Sequence, residues 1–176
     1  KTWVENLQEL NVKNNNNIQQ LYLRAYVLQD TREDWKNNLE VTINTDDKYL
    51  YSEDGTTILL CDSSVTNVVI PENVTTIQDD AFYYCRNIET FVTGDTLTLL
   101  PYIPKGSLKS ITIGNSVTSI GDQSFMNCSS LESVTIGNSV TTIDSYTFSG
   151  SSSLKSVTIG NGVTSIEQDA FSGCIS

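Results

Sequence analysis

The sequence predicts a β-rich solenoid, in which short structural repeats stack on one another along a single axis. Three consecutive segments of 23 residues, beginning at Leu108, Leu131 and Leu154, share nearly the same apolar pattern. Another full copy begins at Val65, and a shorter copy of 20 residues begins at Ile88. Internal repeats of about 20–50 residues are typical of solenoids, because one such unit is too small to bury its own apolar face.

Each repeat, which we call a rung, opens with an alternating pattern that predicts one β-strand. The apolar residues are the first, fourth and sixth of each copy, as in Leu131, Val134 and Ile136. Side chains two residues apart in a strand lie on the same face, so the fourth and sixth positions face the core and the hydroxyl residues between them face outward. Stacking the rungs in parallel then joins these positions into one continuous core.

The second half of each rung has its own recurring pattern. A V-T-[ST]-I segment, as at residues 140–143, predicts a second short extended stretch. A small residue and Phe follow, and Cys stands three residues after Phe in three of four copies, as in Phe125 and Cys128. This spacing predicts a tight helical turn on the side opposite the strands.

The combined pattern L-x-S-[VI]-T-I-[GP]-N-x-V-T-[ST]-I-x-x-x-[AST]-F-x-x-C resembles the BspA-like leucine-rich repeats of bacterial and some protozoan surface proteins. Residues 48–63 are similar to the segment that often leads into such arrays. The short copy, residues 88–107, departs from the pattern because it lacks the Phe and Cys positions. The resemblance implies a secreted or cell-surface, extracellular protein that binds host matrix proteins or other surface macromolecules, and it implies no catalytic residue.

The repeat pattern divides the chain into two parts. Residues 42–176 are expected to form the leucine-rich-repeat solenoid, with rungs starting near positions 42, 65, 88, 108, 131 and 154. Residues 1–41 are rich in Asn and lack the 23-residue period, which predicts an N-terminal cap or a divergent rung. The sequence ends where a further repeat would begin. We therefore expect the natural protein to continue, and the uncovered last rung to associate weakly end to end.

Composition argues against several kinds of partner and chemistry. The formal net charge is −11 at pH 7, so nucleic acid and anionic membrane surfaces would repel the chain. No apolar run approaches the ~20 residues of a membrane-spanning helix, and we expect no direct membrane insertion. The sequence contains no His, which is the commonest general base and a common metal ligand. We therefore expect no enzyme activity, no cofactor and no bound metal.

The cysteines share one position of the repeat at Cys85, Cys128 and Cys174. Rungs stack ~4.8 Å apart, and two rungs separate each neighbouring pair, which places these thiols ~10 Å from one another. That distance exceeds the ~7 Å between Cα atoms that a disulfide tolerates. We therefore predict reduced thiols that are buried above one another in the core. Cys61 and Cys85 are the one pair that could come close enough to each other to form a disulfide.

The outward hydroxyl rows of the strands form a flat polar surface able to contact a protein or a glycan. The alternative is that Ser and Thr simply occupy solvated sheet positions. The short copy adds apolar and aromatic groups of the kind found at interface hot spots, although they could instead fill the space left by the missing Phe. The candidate ligand-binding residues are Thr90, Val92, Tyr102, Ser110, Thr112, Ser133, Thr135, Ser156 and Thr158.

Two functions are consistent with this surface. The first is a non-enzymatic binding module that mediates adhesion-type protein contact or glycan contact. The second is a structural spacer that holds another domain of a larger surface protein away from the cell.

Overall fold

The computed structural model describes residues 48–52 and 54–176, which contain ten β-strands and no helix. The predicted N-terminal cap or divergent rung, residues 1–41, lies outside the described residues. The strands are β1 (Tyr49–Tyr51), β2 (Thr57–Cys61), β3 (Asn67–Val69), β4 (Thr76–Ile77), β5 (Thr90–Val92), β6 (Ser110–Ile113), β7 (Ser133–Ile136), β8 (Thr142–Ile143), β9 (Ser156–Thr158) and β10 (Ser165–Ile166).

Five parallel strands form the main sheet in the order β3-β5-β6-β7-β9, one from each of the rungs that start at residues 65, 88, 108, 131 and 154. Equivalent positions of the repeat pair directly, so that Ser133 lies opposite Ser110 on one side and Ser156 on the other. Within β7, Val134 and Ile136 are buried in the core. Thr135 between them is exposed. The predicted solenoid with one short parallel strand per rung is therefore confirmed.

The V-T-[ST]-I segments form a second, narrower line of parallel contacts. Strands β8 and β10 pair in parallel, and Ile120 forms an isolated parallel bridge to Ile143. This confirms the short extended stretch predicted for the second half of the rung.

The shortened rung keeps its strand in register with both neighbours. Thr90 pairs with Ser110, and Leu99 bridges Ser119, so the missing residues fall in the loop at 101–107. The buried ring of Phe91 packs edge-on against Phe82, with ring centroids 5.2 Å apart. Phe91 therefore supplies an aromatic ring to the core of a rung that has no Phe turn of its own.

The first described segment differs from the parallel rung predicted to start near position 42. Strands β1 and β2 form an antiparallel pair, and β2 then pairs in parallel with β4. Strand β2 thus aligns with a V-T-T-I segment rather than with the main sheet. Tyr49 on β1 is buried and packs edge-on against Phe82 at 6.3 Å, so this hairpin covers the first Phe of the core.

The predicted helical turn at Phe is wrong, because the segment folds as successive β-turns. The N–H of Phe125 donates to the carbonyl of Thr147 in the next rung, whereas the N–H of Met126 donates to Gln123 within its own turn. This alternation leaves no continuous i to i−4 ladder, which an α-helix requires. Gln123 and Asn127 adopt left-handed conformations, with φ of 57° and 60°.

Stacked rings and small polar groups fill the turn side of the core. The rings of Phe125, Phe148 and Phe171 stack with centroid distances of 5.4 and 5.3 Å. The Oγ of Ser151 donates to the carbonyl of Phe125 at 3.1 Å, and the Sγ of Cys174 donates to that of Phe148 at 3.3 Å. Ser and Cys therefore fulfil the same role in successive rungs, as hydrogen-bond donors to the Phe of the preceding rung.

Candidate functional site: the outer sheet face and two grooves

Two rows of outward side chains cover the main sheet. The first row contains Asn67 and four hydroxyl residues, and the second contains two Val and three Thr. Eight of the nine predicted ligand-binding residues lie in these rows, in the register that the repeat predicts. They are Thr90, Ser110, Ser133 and Ser156 in the first row, and Val92, Thr112, Thr135 and Thr158 in the second.

A column of alternating charges borders the first row. The Nζ of Lys109 lies 2.9 Å from Glu89, and the Nζ of Lys155 lies 2.9 Å from Glu132. The hydrogen bond from Lys155, followed by the charges of Lys155 and Lys109, lowers the pKa of the Glu132 carboxyl below its usual value. The column alternates in sign and sums to zero, so it adds no net charge at this border of the sheet face.

A ladder of backbone contacts borders the second row. A Cβ on Gly137 would lie 2.3 Å from the carbonyl oxygen of Gly114, and a Cβ on Gly160 would lie 2.4 Å from that of Gly137. Real side chains do not tolerate such distances, so glycine is required where the chain leaves β7 and β9. The close approach leaves a strip of bare glycine backbone beside the second row, which we call the glycine floor.

The residue after each glycine links neighbouring rungs through its side chain. The N–H of Asn115 donates to Oδ1 of Asp95 at 2.6 Å, and the N–H of Asn138 donates to Oδ1 of Asn115 at 3.0 Å. The N–H of Asn161 likewise donates to Oδ1 of Asn138 at 2.9 Å. We call this series of hydrogen bonds to Asp and Asn side chains the Asx ladder. Sequence reasoning missed this feature, although its signal is visible as Gly-Asn directly after the strand in three copies.

An open groove of about 590 Å³ lies on this side of the sheet, and we call it the sheet-side groove. It is lined by the second row, the glycine floor and the Asx ladder. It runs across four rungs, from Val92 and Asp95 to Thr158 and Asn161. One wall offers the hydroxyl groups of threonines, which both donate and accept, and the other offers the side-chain amides of three asparagines and, at one end, the carboxylate of Asp95. The groove can therefore form neutral hydrogen bonds with a ligand over most of its length, with one acidic group at the Asp95 end.

Tyr102 lies apart from the other predicted residues. It lines a smaller groove with Tyr83, Arg86, Lys105 and two neighbours, Pro104 and Gly106, and this groove shares no lining residue with the sheet-side groove. We call it the tyrosine groove. The structure therefore divides the predicted binding residues between two separate surfaces.

The thiols of Cys128 and Cys174 are not suited to nucleophilic chemistry at neutral pH. Burial raises the pKa of the Cys128 thiol to about 11, against a smaller opposing effect of the nearby Lys105 charge. Burial also raises the pKa of Cys174. The protonated thiol is a poor nucleophile, and Cys85, Cys128 and Cys174 are free thiols in the structure.

Metal-binding clusters and membrane-spanning helices are both absent from residues 48–52 and 54–176. Within these ranges no group of three or more Cys, Asp and Glu side chains converges on a point where a metal ion could be held. The same part of the chain has no helix that is long and apolar enough to span a membrane.

Comparisons with known proteins identify the repeat. A sequence profile of the BspA type leucine-rich repeat region matches residues 55–176 in six copies, whereas no curated protein sequence matches the chain. A leucine-rich cell surface protein from Faecalibacterium prausnitzii A2-165 has a similar structure, with 28% sequence identity over 75% of this chain and 46% of that chain, and a TM-score of 0.48. A leucine-rich repeat protein from Eubacterium ventriosum ATCC 27560 gives 21% identity, coverage of 71% and 48%, and a TM-score of 0.50.

The chain spans about half the length of each of these two solved proteins. The profile itself covers well over half of the 176 residues, in the region that forms the parallel rungs. The chain therefore belongs to the family of BspA-type leucine-rich-repeat proteins.

Proposed function

We propose that the chain is a non-enzymatic binding module of a secreted or cell-surface protein, and that the outer face of the main sheet contacts a protein partner. The observation that carries this proposal is the pair of uncharged side-chain rows on five parallel strands, with the sheet-side groove beside them. Membership of the BspA-type family supports the extracellular location.

The chemistry of the face favours a protein over a charged polymer. Charged residues are depleted at the centres of protein interfaces, and here the charges lie in the bordering column rather than in the two rows. Ser, Thr and Val have short side chains that lose little conformational entropy when a partner covers them, so the entropic cost of binding is small. Exposed Val69 and half-buried Val92 add an apolar area at one end of the face.

The proposal that the chain is not an enzyme is supported by the residues themselves. The sequence contains no His to serve as a general base. Burial keeps the Cys128 thiol protonated at neutral pH. These features leave binding as the function that the surface supports best.

Binding of the chain to a panel of purified extracellular-matrix proteins tests the proposal. Val92→Glu and Thr112→Glu each place a charge in the second row, on the neighbouring strands β5 and β6, and we expect each to weaken binding at least about tenfold, equivalent to ~1.4 kcal/mol. The matched control is Thr118→Glu, because Thr118 is an exposed residue of the same rung as Thr112 but lies outside the main sheet.

Each variant should retain the unfolding free energy of the wild type to within ~1 kcal/mol, because Thr118 is exposed and the half-buried side chains of Val92 and Thr112 face outward from the sheet, away from the core. Binding that survives both Val92→Glu and Thr112→Glu would exclude the sheet face. A chain that binds no partner through this face would instead fit the structural spacer.

A further inference from the structure

Apart from Lys48 in the first described segment, the basic side chains of the described residues fall into two groups. Lys109 and Lys155 form ion pairs with glutamates of the preceding rung at the border of the main sheet. Arg86 and Lys105 form no ion pair with any described carboxylate, and both line the tyrosine groove. In a chain with a formal net charge of −11, two unpaired cations that converge on one groove indicate a site for an anion.

The ammonium group of Lys105 is held in place. Its Nζ donates to the carbonyl of Gln123 at 3.0 Å, and the left-handed conformation of Gln123, with φ of 57°, is part of the turn that presents this carbonyl. Fixing the long side chain in advance reduces the entropy that a ligand would otherwise have to overcome. Arg86 is exposed, and its guanidinium has a fork of donors that matches a carboxylate.

Two half-exposed aromatic rings also line the groove. Tyr83 is 49% exposed and Tyr102 is 50% exposed, and their centroids lie 5.9 Å apart with an angle of 33° between the rings. The ring of Tyr84 packs edge-on against Tyr83 at 4.9 Å and supports it from one side. The pair therefore presents apolar ring surface and phenolic hydroxyls to solvent at the same place.

The groove arises from the shortened rung and occurs at one place in the repeat array. Where Tyr83 stands, the later copies have Met126, Ser149 and Ser172. The loop at 101–107 lacks the Phe turn that follows the V-T-[ST]-I segment in the other rungs, and Tyr102 takes part in the groove in its place. This feature therefore differs from the surface that the regular rungs repeat.

We propose that the tyrosine groove binds a carboxylated saccharide, such as a uronic acid or a sialic acid residue. The tyrosine rings would contact the apolar C–H face of the sugar ring, and the phenolic hydroxyls would hydrogen-bond to its hydroxyl groups. Arg86 and Lys105 would bind the carboxylate through charge-assisted hydrogen bonds. This site is independent of the proposed protein contact on the main sheet.

The size and charge of the groove limit the ligand. Its volume is about 260 Å³, below the range of about 300–1,000 Å³ that encloses a drug-sized molecule, so it accommodates one sugar residue of a chain. Charges beyond about 8 Å are largely screened at physiological ionic strength. A single carboxylate would therefore be attracted mainly by the two adjacent cations. The closely spaced phosphates of nucleic acid would extend beyond them over an acidic surface, which would repel them.

The test uses oligosaccharides that carry glucuronate, galacturonate or sialic acid, together with the same compounds after reduction of the carboxyl group to an alcohol. We expect the chain to bind at least one of the acidic forms, as measured by calorimetry or by NMR titration. Reduction of the carboxyl should weaken that binding at least about tenfold, because a charge-assisted contact is lost.

Arg86→Gln, Lys105→Gln and Tyr102→Leu should each weaken the binding about tenfold or more. Lys155→Gln is the matched control, because it removes the same charge at the sheet border and should change affinity less than about twofold. Circular dichroism should show the same fold for all four variants.

Three outcomes would overturn the assignment. Failure of all three acidic oligosaccharides to bind would exclude this ligand class. Equal binding of the reduced forms would exclude recognition of the carboxylate. A glutamate-rich peptide that binds with the expected dependence on Arg86 and Tyr102, while the saccharides do not, would make the groove a peptide site. None of these outcomes bears on binding of matrix proteins to the sheet face, which depends on Val92 and Thr112.

Discussion

The backbone N–H of Asn138 donates a hydrogen bond of 3.0 Å to the side-chain Oδ1 of Asn115, one rung earlier in the solenoid. The next rung repeats the contact, from the N–H of Asn161 to Oδ1 of Asn138 at 2.9 Å. These bonds satisfy backbone donors at the point where the main sheet ends and the chain turns away. Since solenoid stability is the sum of contributions from the rungs and their interfaces, a contact repeated at each interface contributes repeatedly.

Asn115→Ala should lower the unfolding free energy by about 1 kcal/mol, because the N–H of Asn138 loses its protein acceptor. Asn115→Asp retains an acceptor oxygen. Asp95 of the shortened rung shows that a carboxylate can fill this role, because its Oδ1 accepts from the N–H of Asn115. We expect the Asp variant to stay within ~0.5 kcal/mol of the wild type in urea denaturation. Equal losses in the two variants would contradict a structural role for this hydrogen bond.

Gly137→Ala should lower the unfolding free energy by about 2 kcal/mol or more, because the new methyl group would lie 2.3 Å from the carbonyl oxygen of Gly114. The position of the methyl carbon is set by the backbone of residue 137, and the oxygen belongs to the backbone of Gly114. Because neighbouring rungs hold both backbone segments, a side-chain movement cannot relieve the strain. Gly106→Ala is the control, because a Cβ there meets no atom within 4 Å. Thermal and urea melts should show the loss for Gly137→Ala alone, and similar behaviour of both variants would refute the close approach.

The strand register could be predicted from the sequence because each rung contributes the same positions. A period of 23 residues places Ser110, Ser133 and Ser156 in one row, and the parallel pairing of the strands has this register. Alternation of buried and exposed residues then follows from strand geometry. Positions that recur at a constant spacing can therefore be assigned to a face of the sheet by their spacing alone.

The turn at Phe could not be predicted in the same way. The spacing of Phe125 and Cys128 fits a helix when one rung is considered alone. The N–H of Phe125 instead donates to Thr147 of the next rung, and a hydrogen bond between rungs has no signature in the sequence of a single repeat. The separation of Tyr102 from the strand residues could not be predicted for a related reason, since sequence alone does not show on which side of the rung the shortened loop lies.

Ile136→Ala should cost on the order of 2–5 kcal/mol of unfolding free energy, because it opens a cavity in the core of the middle of the array. Ile136 is 2% exposed and pairs in register with Ile113 on the adjacent strand. Thr135→Ala changes the neighbouring residue, which faces outward, and should cost well under ~1 kcal/mol. Urea denaturation of the two variants gives the comparison, and equal losses would be incompatible with the alternation of β7.

The Cys128 thiol should resist alkylation in the folded chain. Burial raises its pKa to about 11, so very little thiolate exists at pH 8. Cys174 is half-buried, and we expect iodoacetamide to modify it before Cys128, as followed by peptide mass spectrometry. Modification of Cys128 at the rate of an unfolded control at pH 8 would show that the thiol is accessible and contradict its place in the core.

The same pKa shift predicts how stability depends on pH. The unfolded chain releases the Cys128 proton near the ordinary value of 9.0, whereas the folded chain retains it to about 11. Between these values the folded state binds more protons, so the contribution of Cys128 is fully present below pH 9 and is lost as the pH rises toward 11. Cys128→Ser is the matched variant, because Ser151 occupies the equivalent position and its Oγ donates to Phe125. Urea melts at pH 8, 9, 10 and 11 should show a smaller decline in unfolding free energy for Cys128→Ser than for the wild type, since the tyrosines and lysines are common to both. Parallel declines would mean that the thiol ionises as readily in the folded chain as in the unfolded one.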